Sequence, residues 1–183
     1  MGLRGKDSKI PHVAEALLIT GTVGVGKTSV ADAVGDVLSG AGVPNAVIDV
    51  DWLRRAWPAP PGDPFNGALT LRNLRSVAAN FLAAGAQRLV LAGVIESRAD
   101  RAGYAEVLGV PLTVCRLHAA LPEVRERLRA RHTNDPQSLA WHLDRAGELA
   151  SILDAAQVED YNVDACAGSP EQVAALVVKG WDV

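Results

Sequence analysis

The chain has 183 residues, 49% of them hydrophobic, and carries 18 Lys and Arg against 21 Asp and Glu for a net charge of −3. That length suits one domain with a continuous core, and the slightly acidic balance lacks the basic excess of a nucleic-acid binder. Residues 1–12 are polar and basic, and no later run reaches membrane-spanning length. A cytoplasmic protein with no membrane partner is expected, its first dozen residues flexible. Cys115, in an apolar run, and Cys166, in a late loop, have neither disulfide-framework nor zinc-site spacing.

In chain order, residues 15–20 form a short apolar run suited to a buried parallel strand. Gly21-Thr22-Val23-Gly24-Val25-Gly26-Lys27-Thr28 follows and fits the pattern G-x-x-x-x-G-K-[ST] at every fixed position. Glycines there let successive backbone N–H groups converge on a polyphosphate at a helix N-terminus, where the helix dipole favours anions. Residues 29–38 carry apolar side chains at helical spacing, so strand, loop and helix occur in the required order. Gly21, Thr22, Val23, Gly24, Val25, Gly26, Lys27, Thr28 and Ser29 are thus the candidate ATP and magnesium site. Lys27 would reach the β- and γ-phosphates, and Thr28 the metal. Lys6, Lys9, Lys27 and Lys179 are the only lysines, so the loop keeps one where a compact point charge is wanted.

Residues 45–49 read as a second strand, ending in Asp49-Val50-Asp51-Trp52-Leu53-Arg54-Arg55. Ligands of doubly wound sheets bind beyond the carboxyl ends of the strands, which places these aspartates toward the glycine loop. Residues two apart on a strand project to one side, so Asp49 and Asp51 converge while Val50 packs away. One carboxylate could support magnesium and the other accept a proton from an attacking hydroxyl. The alternative is that Asp51 merely caps a short helix beginning at Trp52. Pro58-Ala59-Pro60-Pro61-Gly62-Asp63-Pro64 must be an exposed, stiff loop and a candidate rim for a substrate pocket.

Further strands are expected at 87–95, 111–117 and 160–164, and helices at 69–84, 98–108, 121–130, 138–156 and 170–180. This alternation implies a three-layer α/β fold: about five parallel strands with helices on both faces and a small helical lid, all in one domain. The third strand runs Leu89-Val90-Leu91-Ala92-Gly93, without the acid that motor ATPases use to activate water; Gly93 suits close approach of a substrate or backbone. A guanine-reading Asn-Lys-x-Asp cannot occur without lysine between Lys27 and Lys179, which favours ATP as donor. Residues 163–170 form a turn whose backbone could wrap the adenine.

In 121–131, Leu121, Val124 and Leu128 make a core-facing stripe bordered by Arg127 and Arg131. Those two arginines are candidates to close over the phosphates from a lid at about 127–140, with its turn at 132–136. The competing reading is a solvated helix, to which Arg125 and Arg129 are assigned. His132 and His142 show no partner in sequence, and Trp141, Leu143 and Ala146 read as packing.

The Asp-x-Asp-x-x-Arg of Asp49, Asp51 and Arg54 resembles the Asp-Gly-Asp-Asn-x-Arg segment of adenylylsulfate kinases. Phe65, Asn73-Leu74-Arg75, Val77-Ala78 and Ile95-Glu96-Ser97-Arg98-Ala99-Asp100-Arg101 follow further segments of that family in order. More loosely, the chain is similar to chloramphenicol phosphotransferases and to shikimate and gluconate kinases. The resemblance implies a kinase acting on a small-molecule hydroxyl; a monomer or homodimer is expected. The resemblance also implies that Asp51 is the base, that Arg54, Asn73 and Arg98 lie on the acceptor side, and that Phe65 lies against the acceptor's ring. A nucleotide kinase, adenylylsulfate kinase included, or a non-catalytic ATP-binding regulatory module are the other readings. Leu69 and Thr70 replace the Asp-Arg pair that adenylylsulfate kinases use on their substrate, and the Lys-Gly-Leu-Tyr lid sequence is absent. A less anionic acceptor is therefore expected, held by Phe65, Asn73 and Arg54.

Overall fold

The computed structural model describes residues 13–133 and 135–181; the N-terminal dozen expected to be flexible, and Asn134 of the expected lid turn, lie outside the described residues. Five strands, β1 (Glu15–Thr20), β2 (Asn45–Asp49), β3 (Arg88–Ala92), β4 (Leu112–His118) and β5 (Tyr161–Asp164), form one sheet in the order β2-β3-β1-β4-β5. All pairings are parallel. The helices are α1 (Lys27–Gly40), α2 (Val50–Leu53), α3 (Gly67–Ala83), α4 (Arg98–Leu108), α5 (Leu121–Arg131), α6 (Pro136–Ala156) and α7 (Pro170–Gly180).

Strand β1 is central, and its alternation divides the core. Leu17 and Ile19 pack with Val30, Val34 and Leu38 of α1 and Val173 and Val177 of α7 on one face. Ala16 and Leu18 pack with Leu74 and Ala78 of α3 and Tyr104 and Leu108 of α4 on the other. Leu17, Leu18 and Ile19 are fully buried, which is why β1 reads as a continuous apolar run. Because β1 leads to α1 on one face and its neighbour β3 to α4 on the opposite face, the chain parts at their carboxyl ends and opens a crevice there. Over that crevice α5 and α6 form a small separate core of Val124, Leu128 and Ala146, the basis of the expected helical lid.

Several boundaries differ from expectation for local reasons. The third strand stops at Ala92: Gly93 donates to the Ile19 carbonyl at 3.1 Å, and a Cβ on Gly93 would sit 3.2 Å from the Val50 side chain. What crowds Gly93 is therefore the side chain of Val50 of α2 rather than the substrate or backbone expected. Helices α1 and α6 each start two residues earlier than expected, the first at Lys27 itself and the second at Pro136 after the Asp135 cap. Asp49 and Asp51 do not share a pleated strand. β2 ends at Asp49, which is the N-cap of α2 and accepts from the Asp51 N–H at 2.9 Å. The capping aspartate is therefore Asp49, not Asp51, while Val50 packs away, fully buried.

Candidate active site

The glycine loop connects β1 to α1 with three residues at positive φ: Gly21 at 144°, Gly24 at 81° and Gly26 at 107°. At Gly21 crowding adds to the backbone requirement, since a Cβ would lie 2.6 Å from the Leu117 carbonyl oxygen of β4. Gly26 caps α1 without any side-chain hydrogen bond, and no acidic side chain stands in the first turn. The leading N–H groups of α1 are thus open to an anion.

Lys27 Nζ donates to the Gly21 and Thr22 carbonyls at 3.1 and 2.9 Å, folding the side chain back over the loop. Burial holds its pKa down at about 8 from the ordinary 10.5, with Asp51 and Asp49 opposing and Arg54 and Arg131 reinforcing the shift. Lys27 is therefore not simply solvent-facing. Thr28 Oγ1 donates to Asp49 Oδ2 at 3.0 Å, joining the last loop residue to the end of β2.

Asp51, with a 61% exposed side chain, stands beyond this pair, 3.5 Å from Arg54 Nε. Among the described residues buried Arg54 Nε makes no hydrogen bond, its ion pair with Asp51 aside. Tyr104 lies beside Arg54, and burial pushes its hydroxyl above the usual tyrosine range. Arg127 donates to the Val25 carbonyl at 3.0 Å and the Ala165 carbonyl at 3.1 Å, tying the glycine loop to the turn after β5. Arg131, on the same cavity wall, has no hydrogen-bond or ion-pair partner among the described residues and stays free to meet an anion.

These groups line one cavity of about 1120 Å³ that also receives Phe65, Glu96, Trp141 and Arg145. The proline-rich loop brings Phe65 to its rim: buried Asn66 donates to the Arg54 and Ala56 carbonyls at 2.9 and 3.0 Å, and Asp63 accepts from the first N–H groups of α3. Two expected acceptor residues are elsewhere. Asn73 does not line the cavity; its amide donates to the Leu53 carbonyl at 2.8 Å, tying α3 to α2. Arg98, just past the Ser97 cap of α4, lines a separate cavity of about 370 Å³ with Arg101 and Gln157.

No protein-family model matches this chain, and no curated protein matches it. Solved structures do. The tunicamycin resistance protein of Deinococcus radiodurans aligns at a TM-score of 0.66 with 22% identity, over 93% of this chain and 96% of its own. A gluconokinase from Sinorhizobium meliloti 1021 aligns at 0.61 with 20% identity, over 93% of each chain. The Mycobacterium tuberculosis APS kinase CysC, in complex with AMPPNP and APS, aligns at 0.57 with 23% identity, over 94% of this chain and 100% of its own.

The chain has the P-loop kinase fold. Within that fold, four cavity residues escaped sequence reasoning. Arg145 of α6 binds Glu96 across the cavity and Glu148 at 2.7 Å, and no local spacing announces that partnership. Tyr104 falls in the helix expected at 98–108, where nothing in the sequence singles it out. Trp141 is not packing: it is 53% exposed and faces the cavity. His142 stacks on His132 with ring centroids 4.4 Å apart and bonds the Ser138 carbonyl at 2.6 Å, supplying the partners invisible in sequence.

Among the described residues no helix is long and apolar enough to cross a membrane, and no cluster of three or more His, Cys, Asp or Glu could hold a metal by itself. Cys115 and Cys166 are both free thiols. Burial pushes Cys115 up to about 12.

Proposed function

We propose that the protein is an ATP-dependent kinase that transfers the γ-phosphoryl group to a hydroxyl of a small molecule. The observation that carries this reading is the pairing of Thr28 with Asp49 at the open N-terminus of α1, with Asp51 standing beyond them in the same cavity. A hydroxyl and a carboxylate oxygen are the donor set that suits magnesium, which retains waters and bridges phosphates. Uncapped N–H groups and the Lys27 amine fit a polyphosphate. Magnesium, when bound, would neutralise charge on the β- and γ-phosphates. The complex of the M. tuberculosis relative with AMPPNP supports an adenine nucleotide as donor.

In this reading Asp51, oriented by Arg54, receives the proton of the acceptor hydroxyl. The hydroxyl oxygen bonds to the γ-phosphorus of ATP as the bond to the bridging oxygen breaks, releasing ADP. Arg131 meets charge spreading over the transferred group, and Arg127 fixes the loop to the adenine-side turn. A regulatory module that only binds nucleotide would have no use for an acid placed beyond the phosphates, which favours turnover. The test is a screen of hydroxyl-bearing metabolites, antibiotics and nucleotides for ADP release that depends on the added acceptor. A hit whose phosphorylated product is identified supports the reading. ATP binding with no acceptor-dependent release across the screen would support the binding module instead.

A further inference from the structure

The half of the cavity away from the glycine loop is walled by rings. Of the chain's four Trp, two Tyr and two Phe residues, half line this cavity: Trp52, Phe65, Tyr104 and Trp141. Trp52 is 68% exposed and Phe65 56%. Tyr104 is buried at the base of the wall, whereas Trp52, Phe65 and Trp141 keep apolar area open to the cavity that a ligand ring would cover.

The charges at this end cancel. Asp51, Glu96 and Asp100 stand with Arg54, Arg55 and Arg145. Asp51 is paired with Arg54 and Glu96 with Arg145, while Asp100 accepts from the Glu96 N–H at 3.1 Å. Arg55 lies over the Trp52 ring at 4.6 Å, and Arg145 over Phe65 at 5.9 Å. An anionic acceptor would be desolvated against a wall whose cations are already engaged. The glycine-loop end differs, because Lys27, Arg127 and Arg131 there exceed Asp49 in charge, as a polyphosphate requires.

Resting on the phosphotransfer reading above, we propose that the acceptor is an uncharged alcohol carrying a flat ring, stacked among Trp52, Phe65 and Trp141 with its hydroxyl at Asp51. The volume agrees: about 1120 Å³ exceeds the range of roughly 300–1,000 Å³ for pockets holding one ligand, so nucleotide and ring body fit together.

Calorimetry decides the matter, with thymidine, chloramphenicol and 4-nitrobenzyl alcohol as uncharged ring alcohols and gluconate, shikimate and adenylylsulfate as anions. Each is titrated with and without magnesium and AMPPNP. At least one ring alcohol is expected to bind about tenfold more tightly than every anion when AMPPNP is present. Phe65→Leu and Trp141→Leu should each weaken that ring alcohol several-fold and change the anions little. An anion that binds more tightly than all the ring alcohols, or no ring alcohol saturating below ~5 mM, overturns the proposal. Failure of AMPPNP to bind while a ring alcohol still does overturns the phosphotransfer reading and leaves the uncharged-ring site standing.

Discussion

The two halves of the cavity are built differently. The core of the half assigned to phosphate is a run of consecutive residues, to which Asp49, Arg127 and Arg131 are added from β2 and α5: Lys27 reaches carbonyls only five and six positions back, and the N–H groups of α1 belong to the same segment. The acceptor half is gathered from four separate elements. Arg145 meets Glu96 across 49 positions, and Asn66 holds the backbone near Arg54 from 12 positions away. Backbone recognition of an anion needs only glycines and a helix start, so it survives as a local pattern. Recognition of an acceptor needs side chains whose neighbours are fixed by the fold. In the proposed function the first half sets the reaction class, and the second selects the substrate.

The largest effect should come from breaking the phosphate half. Lys27→Ala is expected to lower turnover about 10²–10³-fold, the usual loss when a preorganised charge at a transferring group is removed. At neutral pH the two carbonyl bonds lost are offset by release of the penalty for burying the charged amine, so thermal stability should change little. Steady-state kinetics and thermal unfolding measure the two effects separately. Turnover within a few-fold of the parent would detach Lys27 from the chemistry.

Glycine substitutions sharpen the contrast between conformation and contact within the same loop. Gly26→Ala meets nothing within 4 Å and suffers only its positive φ of 107°, whereas Gly21→Ala adds a clash 2.6 Å from the Leu117 carbonyl. Backbone strain of this kind costs about 1–3 kcal/mol. Gly21→Ala should exceed Gly26→Ala in lost stability by about 1 kcal/mol or more, the carbonyl being backbone and unable to rotate away. Urea unfolding of both variants checks the ranking, and equal losses would remove steric crowding from the account.

A smaller effect separates folding from binding by pH. Burial lowers the Lys27 amine to about 8, so between pH 8 and 10.5 the unfolded chain carries the extra proton. The contribution of Lys27 to stability therefore rises with pH through that window, and its full penalty is present below it. Phosphate binding needs the ammonium form and has the opposite slope, with AMPPNP affinity falling by up to about tenfold per pH unit above 8. Lys27→Met should abolish both slopes. A parent affinity that is flat from pH 7.5 to 9.5 would refute the lowered amine.

Most of the fold was legible in sequence because alternation, apolar runs and caps are local. All five strands stand where expected, with ends shifted where tertiary contacts intervene, as Val50 against Gly93 does at the end of β3. The roles of Asp49 and Asp51 were harder to read. Strand periodicity predicts that they share one side of a strand, whereas Asp49 is a cap and Asp51 lies in the helical turn after it, both on the cavity wall. Asn73 and Arg98 followed a resemblance along the chain rather than the direction of the side chain. Glu96, Arg145 and the exposed Trp141 carry no local signal, since an ion pair between α6 and the loop after β3 exists only once both are packed.

Phosphotransfer as proposed requires Asp51 to act as a base rather than as part of a helix end, and the direct test compares Asp51→Asn with Asp49→Asn using the acceptor found by the screen. Asp49 carries both the cap of α2 and the bond from Thr28, whereas among the described residues the Asp51 side chain pairs only with Arg54, at 3.5 Å. Asp51→Asn should lower kcat by about a hundredfold or more while leaving AMPPNP affinity and thermal stability near those of the parent. Asp49→Asn should weaken magnesium-dependent AMPPNP binding and stability together. An Asp51→Asn variant with the kcat of the parent, or one that loses AMPPNP binding as fast as it loses turnover, would contradict the assignment.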